Sequence, residues 1–221
     1  MPAILSSDGS HTFFSEKYQA HYHSTYGALT ESGHVFLDMG LRWKAAQSSS
    51  LHILEVGFGT GLNALLSQIE AERQGLKVHY LSLETDPITP EDAAGLNYPE
   101  LLAHPGAREA FLRLHQCPWE QAQALSAHFT LEKKQVPLQE FSAENQFDVV
   151  YFDAFSPQDQ PELWEEPIFQ KLFHAMKKGG GLVTYCAQGE FRRRLRRAGF
   201  EVERLPGAAG KREMTRALKP C

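Results

Sequence analysis

The chain of 221 residues carries a formal net charge of −5. This length supports one substantial core, and the acidic balance argues against a protein held on nucleic acid or a membrane by bulk charge. Its three cysteines include no Cys-x-x-Cys pair, and no apolar run approaches the roughly 20 residues that span a bilayer. We therefore expect a cytoplasmic protein with no membrane anchor, no disulfide framework and no metal site.

The predicted elements begin with a polar, aromatic extension over residues 1–50 and continue with the main domain over residues 51–221. Helical apolar spacing marks 35–43. The patterns predict strands at 52–56, 77–83, 128–132, 147–152 and 182–186 and helices at 62–74, 167–177 and 190–198. A helical region at 91–126 is interrupted by Pro99, Pro105 and Pro118, and a hairpin of 200–205 and 213–218 closes the chain.

The alternation of strands and helices predicts an α/β fold, a doubly wound and mostly parallel sheet with helices on both faces. The closing hairpin predicts an antiparallel C-terminal edge strand. Glycines at 179–181 are predicted to end the helix at 167–177.

A glycine-rich loop, residues 57–61, joins the first strand of the main domain to its helix. Glycine permits positive φ angles and a close approach of a ligand to the main chain. The spacing lacks the third glycine of a dinucleotide fingerprint and the lysine of a P-loop. Glu-x-Gly-x-Gly-x-Gly resembles the first motif of class I S-adenosylmethionine (SAM) methyltransferases. The cofactor residues that this motif predicts are Glu55, Gly57, Gly59, Gly61 and Asn63.

Glu84 ends the second predicted strand of the main domain. In a doubly wound sheet, the acid at this position follows the glycine loop by roughly 20 residues and accepts hydrogen bonds from ribose hydroxyls. We predict that Glu84 has this role, and the plainer alternative is a solvated acidic strand end.

Asp153 ends the apolar strand at 147–152. Ligands of open α/β sheets lie beyond the carboxyl ends of the strands, so Asp153 is predicted beside the glycine loop, where an acceptor meets the cofactor. A turn-forming or helix-capping carboxylate is the alternative. Asp148 begins the same strand and is predicted on the far side of the sheet.

Several other residues have a functional and a structural interpretation. Tyr22, Tyr26 and Phe155 are either base-stacking or core aromatics. Cys186 is more typical of a buried thiol than of a nucleophile. A run of five arginines forms either a solvated helix face or, with Lys211 and Arg212, a phosphate-tracking surface: Arg192, Arg193, Arg194, Arg196 and Arg197.

Motifs along nearly the whole chain resemble one methyltransferase family. They lie at residues 22–24, 27–32, 34–37, 55–63, 153–157, 163–164, 180–187 and 199–214. The family completes 5-methylaminomethyl-2-thiouridine at the wobble position of bacterial tRNAs, and in many bacteria it forms the N-terminal half of a bifunctional enzyme. This chain resembles the stand-alone form. One departure is Leu131-Glu132-Lys133-Lys134, where many of these enzymes have a Gly-Asp pair close to the adenine.

The resemblance implies a SAM-dependent enzyme that methylates the 5-aminomethyl group of wobble uridine in the anticodon region of tRNA. It also implies a separate flavin-dependent enzyme that supplies the aminomethyl intermediate. The extension at 1–50 is then expected to contribute to the active site. Asp153 is the expected catalytic residue, and the expected substrate-binding residues are Tyr22, His23, Ser24, Glu31, Phe155, Pro157, Lys211 and Arg212.

Two rival functions share this fold. A polyamine aminopropyltransferase also uses an aspartate to activate an amine, but such enzymes usually carry Gly-Gly-Gly-Asp-Gly in the loop, where this chain has Gly-Phe-Gly-Thr-Gly. A catalytically silent RNA-binding protein is the second rival, and it is disfavoured by the presence of Glu84, Asp153 and the full loop.

Overall fold

A computed structural model describes residues 1–208 and 210–221. Within this part of the chain, the strands are β1 (Ile4–Leu5), β2 (His11–Thr12), β3 (Phe14–Ser15), β4 (Ala20–His21), β5 (Ser50–Val56), β6 (Lys77–Leu83), β7 (Gln123–Ala124), β8 (Phe129–Lys134), β9 (Phe147–Phe152), β10 (Met176–Thr184), β11 (Glu201–Pro206) and β12 (Glu213–Leu218).

The helices lie between these strands. They are α1 (Ala28–Ser32), α2 (Trp43–Ala45), α3 (Leu62–Gln74), α4 (Pro90–Ala94), α5 (Tyr98–Leu101), α6 (Ala107–Gln116), α7 (Glu166–Ala175) and α8 (Gly189–Arg197). A π-helix, Gly33–Arg42, joins α1 to α2, and a 3-10 helix, Pro161–Trp164, precedes α7. No helix in the described residues is long and apolar enough to cross a membrane.

Eight strands of the described residues form the main sheet, in the order β11-β12-β10-β9-β5-β6-β8-β7. The five strands from β10 to β8 are parallel, which confirms the predicted doubly wound sheet. Strands β7 and β12 pair antiparallel with their neighbours. The chain runs from β5 to β6 on one side and later returns to β9 on the other, so the loops after β5 and β9 meet at a topological switch point.

Two apolar layers cover the two faces of the sheet. One contains side chains of the π-helix, α3 and α6, and the other contains side chains of α7 and α8. Every residue of β9 is buried, as its continuous apolar run predicted. Helix α3 has the predicted bounds because Gly61 and Gly75 flank it in the left-handed conformation, with φ of 73° and 65°.

Two predictions about the elements were wrong. Glycines 179–181 lie inside β10, and α7 ends at Ala175, where the chain enters the strand directly. The end of the predicted helical region contains β7. The predicted antiparallel C-terminal edge strand is confirmed as β11, which pairs with β12, and β12 in turn pairs antiparallel with β10. The hairpin itself is confirmed at Glu201–Pro206 and Glu213–Leu218.

Candidate active site

A cavity of about 470 Å³ opens at the carboxyl ends of β5, β6, β8 and β9. The glycine loop and Asp153 line it, together with Glu84 and Asn63. The structure therefore brings together the motifs that the sequence placed at the ends of separate strands.

The glycine loop is shaped by contacts that a side chain would obstruct. Gly57 has φ of 92°, and a Cβ there would lie 2.8 Å from the carbonyl oxygen of Asp153. Gly59 has φ of 50°, and its Cβ would lie 3.2 Å from Cδ1 of Tyr22. Both positions need glycine for its left-handed conformation and its small volume. The loop thus holds open a main-chain cradle against Tyr22 and Asp153.

Glu84 lines the cavity and fixes the loop. Its Oε2 accepts a hydrogen bond of 2.9 Å from the backbone N–H of Gly59. Its Oε1 accepts bonds of 2.7 Å and 2.9 Å from the N–H groups of Thr85 and Asp86. The carboxylate is thus oriented beside the glycine loop, where the predicted ribose contact requires it.

Asp153 is held by main-chain and side-chain bonds at the switch point. Its N–H donates to the carbonyl of Val56 at 3.1 Å, and Nδ2 of Asn63 donates to its Oδ2 at 2.8 Å. Burial raises the pKa of Asp153 to about 7, and the negative charge of Glu31 also raises it. The amide of Asn63 and the ammonium of Lys211 act in the opposite direction. Asp153 is therefore a carboxyl group that changes charge near neutral pH.

Glu55 differs from its predicted place at the cofactor. The residues lining the cavity do not include it, and its side chain is fully buried within β5. The hydroxyl of Ser82 donates to Glu55 Oε2 at 2.6 Å. Burial raises the pKa of Glu55 to about 8. Glu55 therefore lies in the interior of the sheet, behind the wall that Asn63 and Asp153 present to the cavity.

The N-terminal segment supplies one wall of the cavity. Tyr22 and His23 line it, and Phe155 meets the Tyr22 ring edge-on at 5.2 Å between centroids. His23 Nε2 shares a hydrogen bond of 2.6 Å with Thr60 Oγ1, and burial lowers the pKa of this imidazole to about 4. Ser24 is outside the wall, where its hydroxyl accepts from the N–H of Tyr26 at 3.2 Å.

A second concavity continues from the Asp153 turn. Pro157, Lys211 and Arg212 line it together with Tyr185, whose hydroxyl donates to the carbonyl of Ala154 at 2.8 Å. The ammonium of Lys211 lies 4.2 Å from the centre of the Tyr185 ring. It also forms an ion pair with the buried carboxylate of Glu31, which joins the β11–β12 turn to α1.

Most arginines of the expected basic surface on α8 form hydrogen bonds or ion pairs within the protein. Arg192 is buried and donates to Thr215 Oγ1 at 2.9 Å, to Glu213 Oε2 at 2.7 Å and to the Met214 carbonyl at 3.0 Å. The interpretation of Arg192 as a phosphate contact was therefore wrong. Three further arginines of this helix form ion pairs with glutamates: Arg193, Arg194 and Arg197.

Two structural interpretations from the sequence agree with the contacts. Cys186 is buried in the apolar layer beneath α8, and burial raises its pKa. Asp148 accepts from the N–H of His52 and pairs with Lys177 at 2.8 Å, at the end of the sheet remote from the cavity.

Sequence reasoning missed one wall of the cavity, residues 136–140, which follows β8. Its position after a strand of the parallel sheet was the available signal, because the carboxyl ends of such strands share one edge. Nearby, Lys133 belongs to residues 131–134, the segment in which the sequence departs from the family pattern. It is buried, donates to the His115 carbonyl at 3.0 Å and lies 5.3 Å from the centre of the Phe58 ring. Lys133 therefore supports the glycine loop from below.

The fold and the cavity define a class of α/β enzymes that bind a nucleoside cofactor at a switch point. A family model described as "S-adenosyl-L-methionine-dependent methyltransferase" matches residues 110–220. The match covers half of the chain, and the chain belongs to this family. Its cofactor is S-adenosyl-L-methionine, as the glycine loop predicted.

Particular proteins resemble the chain over nearly its whole length. The tRNA 5-methylaminomethyl-2-thiouridine biosynthesis bifunctional protein MnmC of Cupriavidus metallidurans is 35% identical over 96% of this chain and 33% of its own length. The chain thus spans about a third of this relative. The crystal structure of MNMC2 from Aquifex aeolicus has a TM-score of 0.77 and 26% identity, and the likeness covers 98% of this chain and 69% of that one.

A more distant likeness shows the fold alone. Spermidine synthase from Thermotoga maritima has a TM-score of 0.55 and 14% identity, and the likeness covers 99% of this chain and 72% of that one. The fold is therefore shared with spermidine synthase, so the fold alone does not define the substrate.

Proposed function

We propose that this methyltransferase acts on the nitrogen of a 5-aminomethyl group carried by wobble (2-thio)uridine in the anticodon region of tRNA, and forms the 5-methylaminomethyl group. The observation that carries the proposal is the half-buried Asp153, which lies between the glycine-loop cavity and the second concavity. The similarity to the Cupriavidus relative, a tRNA 5-methylaminomethyl-2-thiouridine biosynthesis protein, supports this choice of substrate.

The residues of the cradle fit S-adenosyl-L-methionine. Gly57 and Gly59 leave open the space that a Cβ would fill, and Glu84 presents a carboxylate beside them. We assign Gly57, Gly59, Asn63 and Glu84 to the cofactor, with the ribose at Glu84, whereas Gly61 lies outside the cavity lining and forms the left-handed turn into α3. When bound, this cofactor supplies an electrophilic methyl group on a cationic sulfonium.

Asp153 holds the neutral acceptor amine and takes a proton from the nitrogen once that nitrogen has received the methyl group. An alkylamine has a pKa of about 10 and must be neutral to use its lone pair. A carboxylate that titrates at about 7 accepts a proton near the working pH better than an ordinary aspartate does. Before it accepts that proton, the carboxylate favours an in-line approach of the amine and stabilises the positive charge that develops on nitrogen. Asn63 keeps Oδ2 in place throughout.

We assign the binding of the uracil ring to the cavity walls on either side of Asp153. Tyr22, His23 and Phe155 form the apolar side, and Pro157 and Arg212 lie in the second concavity. Residues 1–50 act in this proposal as an extension of the domain at 51–221, because Tyr22 and His23 complete the cavity. Ser24, Glu31 and Lys211 shape the surroundings, and the Lys211–Glu31 pair fixes the β11–β12 turn.

The proposed substrate implies a preceding enzyme that makes the aminomethyl group, and it implies a cellular compartment that contains tRNA. An aminomethyl group must be produced by a separate activity, and we assign it to a flavin-dependent enzyme that removes a larger substituent. The bifunctional Cupriavidus relative is about three times as long as this chain, so it has room for a second activity. A tRNA substrate also places the reaction in the cytoplasm.

Nucleoside analysis tests the substrate directly. We expect tRNA from a strain lacking this gene to accumulate 5-aminomethyl-2-thiouridine and to lose the methylated nucleoside. Re-expression of the wild-type chain should restore the methylated nucleoside, whereas Asp153→Asn should not. Unchanged levels of 5-methylaminomethyl-2-thiouridine in the deletion strain would refute the assignment.

A further inference from the structure

Three buried polar atoms beneath the active site lack a hydrogen-bond partner among the described residues. They are Glu55 Oε1, Asn63 Oδ1 and the hydroxyl oxygen of Tyr80. Buried polar groups without partners are costly, so a cluster of three requires an explanation. The other atoms of the same side chains are well bonded, since Ser82 donates to Glu55 Oε2 and Asn63 Nδ2 donates to Asp153 Oδ2.

The three atoms belong to one cluster. Asn63 and Tyr80 lie beside the Glu55 carboxyl group, although neither forms a hydrogen bond with it. Glu55 Oε1 and Asn63 Oδ1 are both acceptors when Glu55 is ionised, so neither can satisfy the other. One proton on Glu55 Oε1 changes this, because Oε1 then donates to Asn63 Oδ1 and can accept from the Tyr80 hydroxyl.

We propose that Glu55 is protonated in the folded protein and is a positioning residue, which donates to Asn63 and thereby fixes the amide that holds Asp153. The effect of Glu55 on catalysis rests on the proposed function. The protonation of Glu55 does not depend on that function. The arrangement satisfies the three buried atoms. It also fixes the orientation of Asn63, because the opposite orientation would turn Oδ1 toward the Asp153 carboxylate.

The surroundings of Glu55 favour its neutral form. Glu55 pairs in register with Ser82 on β6 and with Tyr151 on β9, in the middle of the sheet. The titratable groups that face it are Tyr80, Tyr151 and Asp153, and all three are acids. Burial raises the pKa of Glu55 to about 8, the hydrogen bond from Ser82 acts in the opposite direction, and the negative charge of Asp153 raises the pKa further. Neutral Glu55 thus avoids a second buried anion beside Asp153.

Unfolding measurements test the proton without any substrate. A group whose pKa is raised on folding contributes stability at low pH that is lost as the pH rises toward the folded value. We therefore compare the unfolding equilibrium constants of the wild type and Glu55→Gln. The ratio of the wild-type constant to the variant constant should rise between pH 5 and 8, by up to about tenfold per pH unit. Glu70→Gln is the matched control, because ion pairs with Arg42 and Arg73 lower the pKa of that buried glutamate. Its difference from the wild type should be flat over this range.

Activity and binding measurements test the positioning role. Glu55→Met fills the space without a donor, and we expect its kcat to fall at least tenfold while its Kd for SAM, measured by calorimetry, changes less than threefold. Glu55→Gln restores a donor to Asn63, and its kcat should return to within threefold of the wild type at pH 7.

Each outcome bears on a different claim. A pH-independent difference between the wild type and Glu55→Gln would show that Glu55 is ionised in the fold and would overturn the proposal. Loss of SAM binding in Glu55→Gln would overturn it too, because the carboxylate would then serve the cofactor by its charge. If the wild type fails to methylate tRNA, the proposed function fails, but the unfolding series still decides the state of Glu55.

Discussion

Asp153 changes its chemistry through burial. Its pKa of about 7 predicts that kcat/KM rises with pH through neutrality, because the ionised carboxylate accepts the proton. Asp153→Asn keeps the shape and loses this acceptor, so we expect turnover to fall by roughly 100-fold with little change in SAM affinity. Rates measured from pH 5.5 to 8.5 check both effects. A flat profile, or a near-normal rate for Asp153→Asn, would exclude proton transfer to this residue.

Because Gly59 has no Cβ, its main chain is open to the proposed cofactor. In Gly59→Ala the added carbon would lie 3.2 Å from Tyr22 in a left-handed backbone conformation, which costs about 1–2 kcal/mol for an L-residue. We expect SAM affinity to fall at least tenfold by calorimetry, with the melting temperature reporting any loss of fold. Gly33→Ala is the control, since Gly33 has helical φ and no atom within 4 Å of its added Cβ. Equal SAM affinity in both variants would contradict the role of Gly59.

At the scale of elements, helix α8 acts as a structural clamp on the C-terminal hairpin. Replacing the buried Arg192 by alanine leaves the Met214 carbonyl without its donor, which costs about 1–3 kcal/mol for a buried group. Arg196→Ala removes an exposed arginine of the same helix and should change the free energy of unfolding by less than about 0.5 kcal/mol. Urea unfolding of the two variants checks the contrast, and equal stability would refute the clamp.

The elements also show where sequence patterns are ambiguous. The pattern at 62–74 predicted α3 because glycines bound it and apolar residues recur at helical spacing. The glycines at 179–181 have a different cause, because a Cβ at Gly181 would lie 2.5 Å from the Trp43 ring. A local pattern cannot distinguish such a tertiary approach from a helix stop. Strand β7 has two residues, too few for any period.

The same reasoning applies to the site. Asp153, Glu84 and the glycine loop were predictable because each follows a strand of a parallel sheet, whose carboxyl ends share one edge. The state of Glu55 and the pairing of Lys211 with Glu31 were not, because they depend on burial and on residues far apart in the sequence. Short motifs therefore located the site, and the three-dimensional contacts determined what its charges do.

For the whole molecule, the charge of −5 requires that RNA contacts be few and local. Arg212 is exposed at the second concavity, whereas the charge of Lys211 is committed to Glu31. We expect Arg212→Gln to weaken tRNA binding and to reduce the slope of log K against log salt by about one. Lys211→Gln removes a cation that lowers the pKa of Asp153, so it should shift the acid limb of the rate profile to higher pH.

A filter-binding salt series and a pH profile for each variant separate the two roles. The account is contradicted if Lys211→Gln changes only the salt slope, or if Arg212→Gln changes only the pH profile.

The most direct test is a methyl-transfer assay on an anticodon stem-loop that carries 5-aminomethyl-2-thiouridine, with the purified chain and either SAM or decarboxylated SAM. The account predicts one methyl group on the aminomethyl nitrogen with SAM, no aminopropyl product with decarboxylated SAM, and a loss of roughly 100-fold in rate for Asp153→Asn. Methylation at a ring carbon, aminopropyl transfer, or undiminished activity of Asp153→Asn would contradict it.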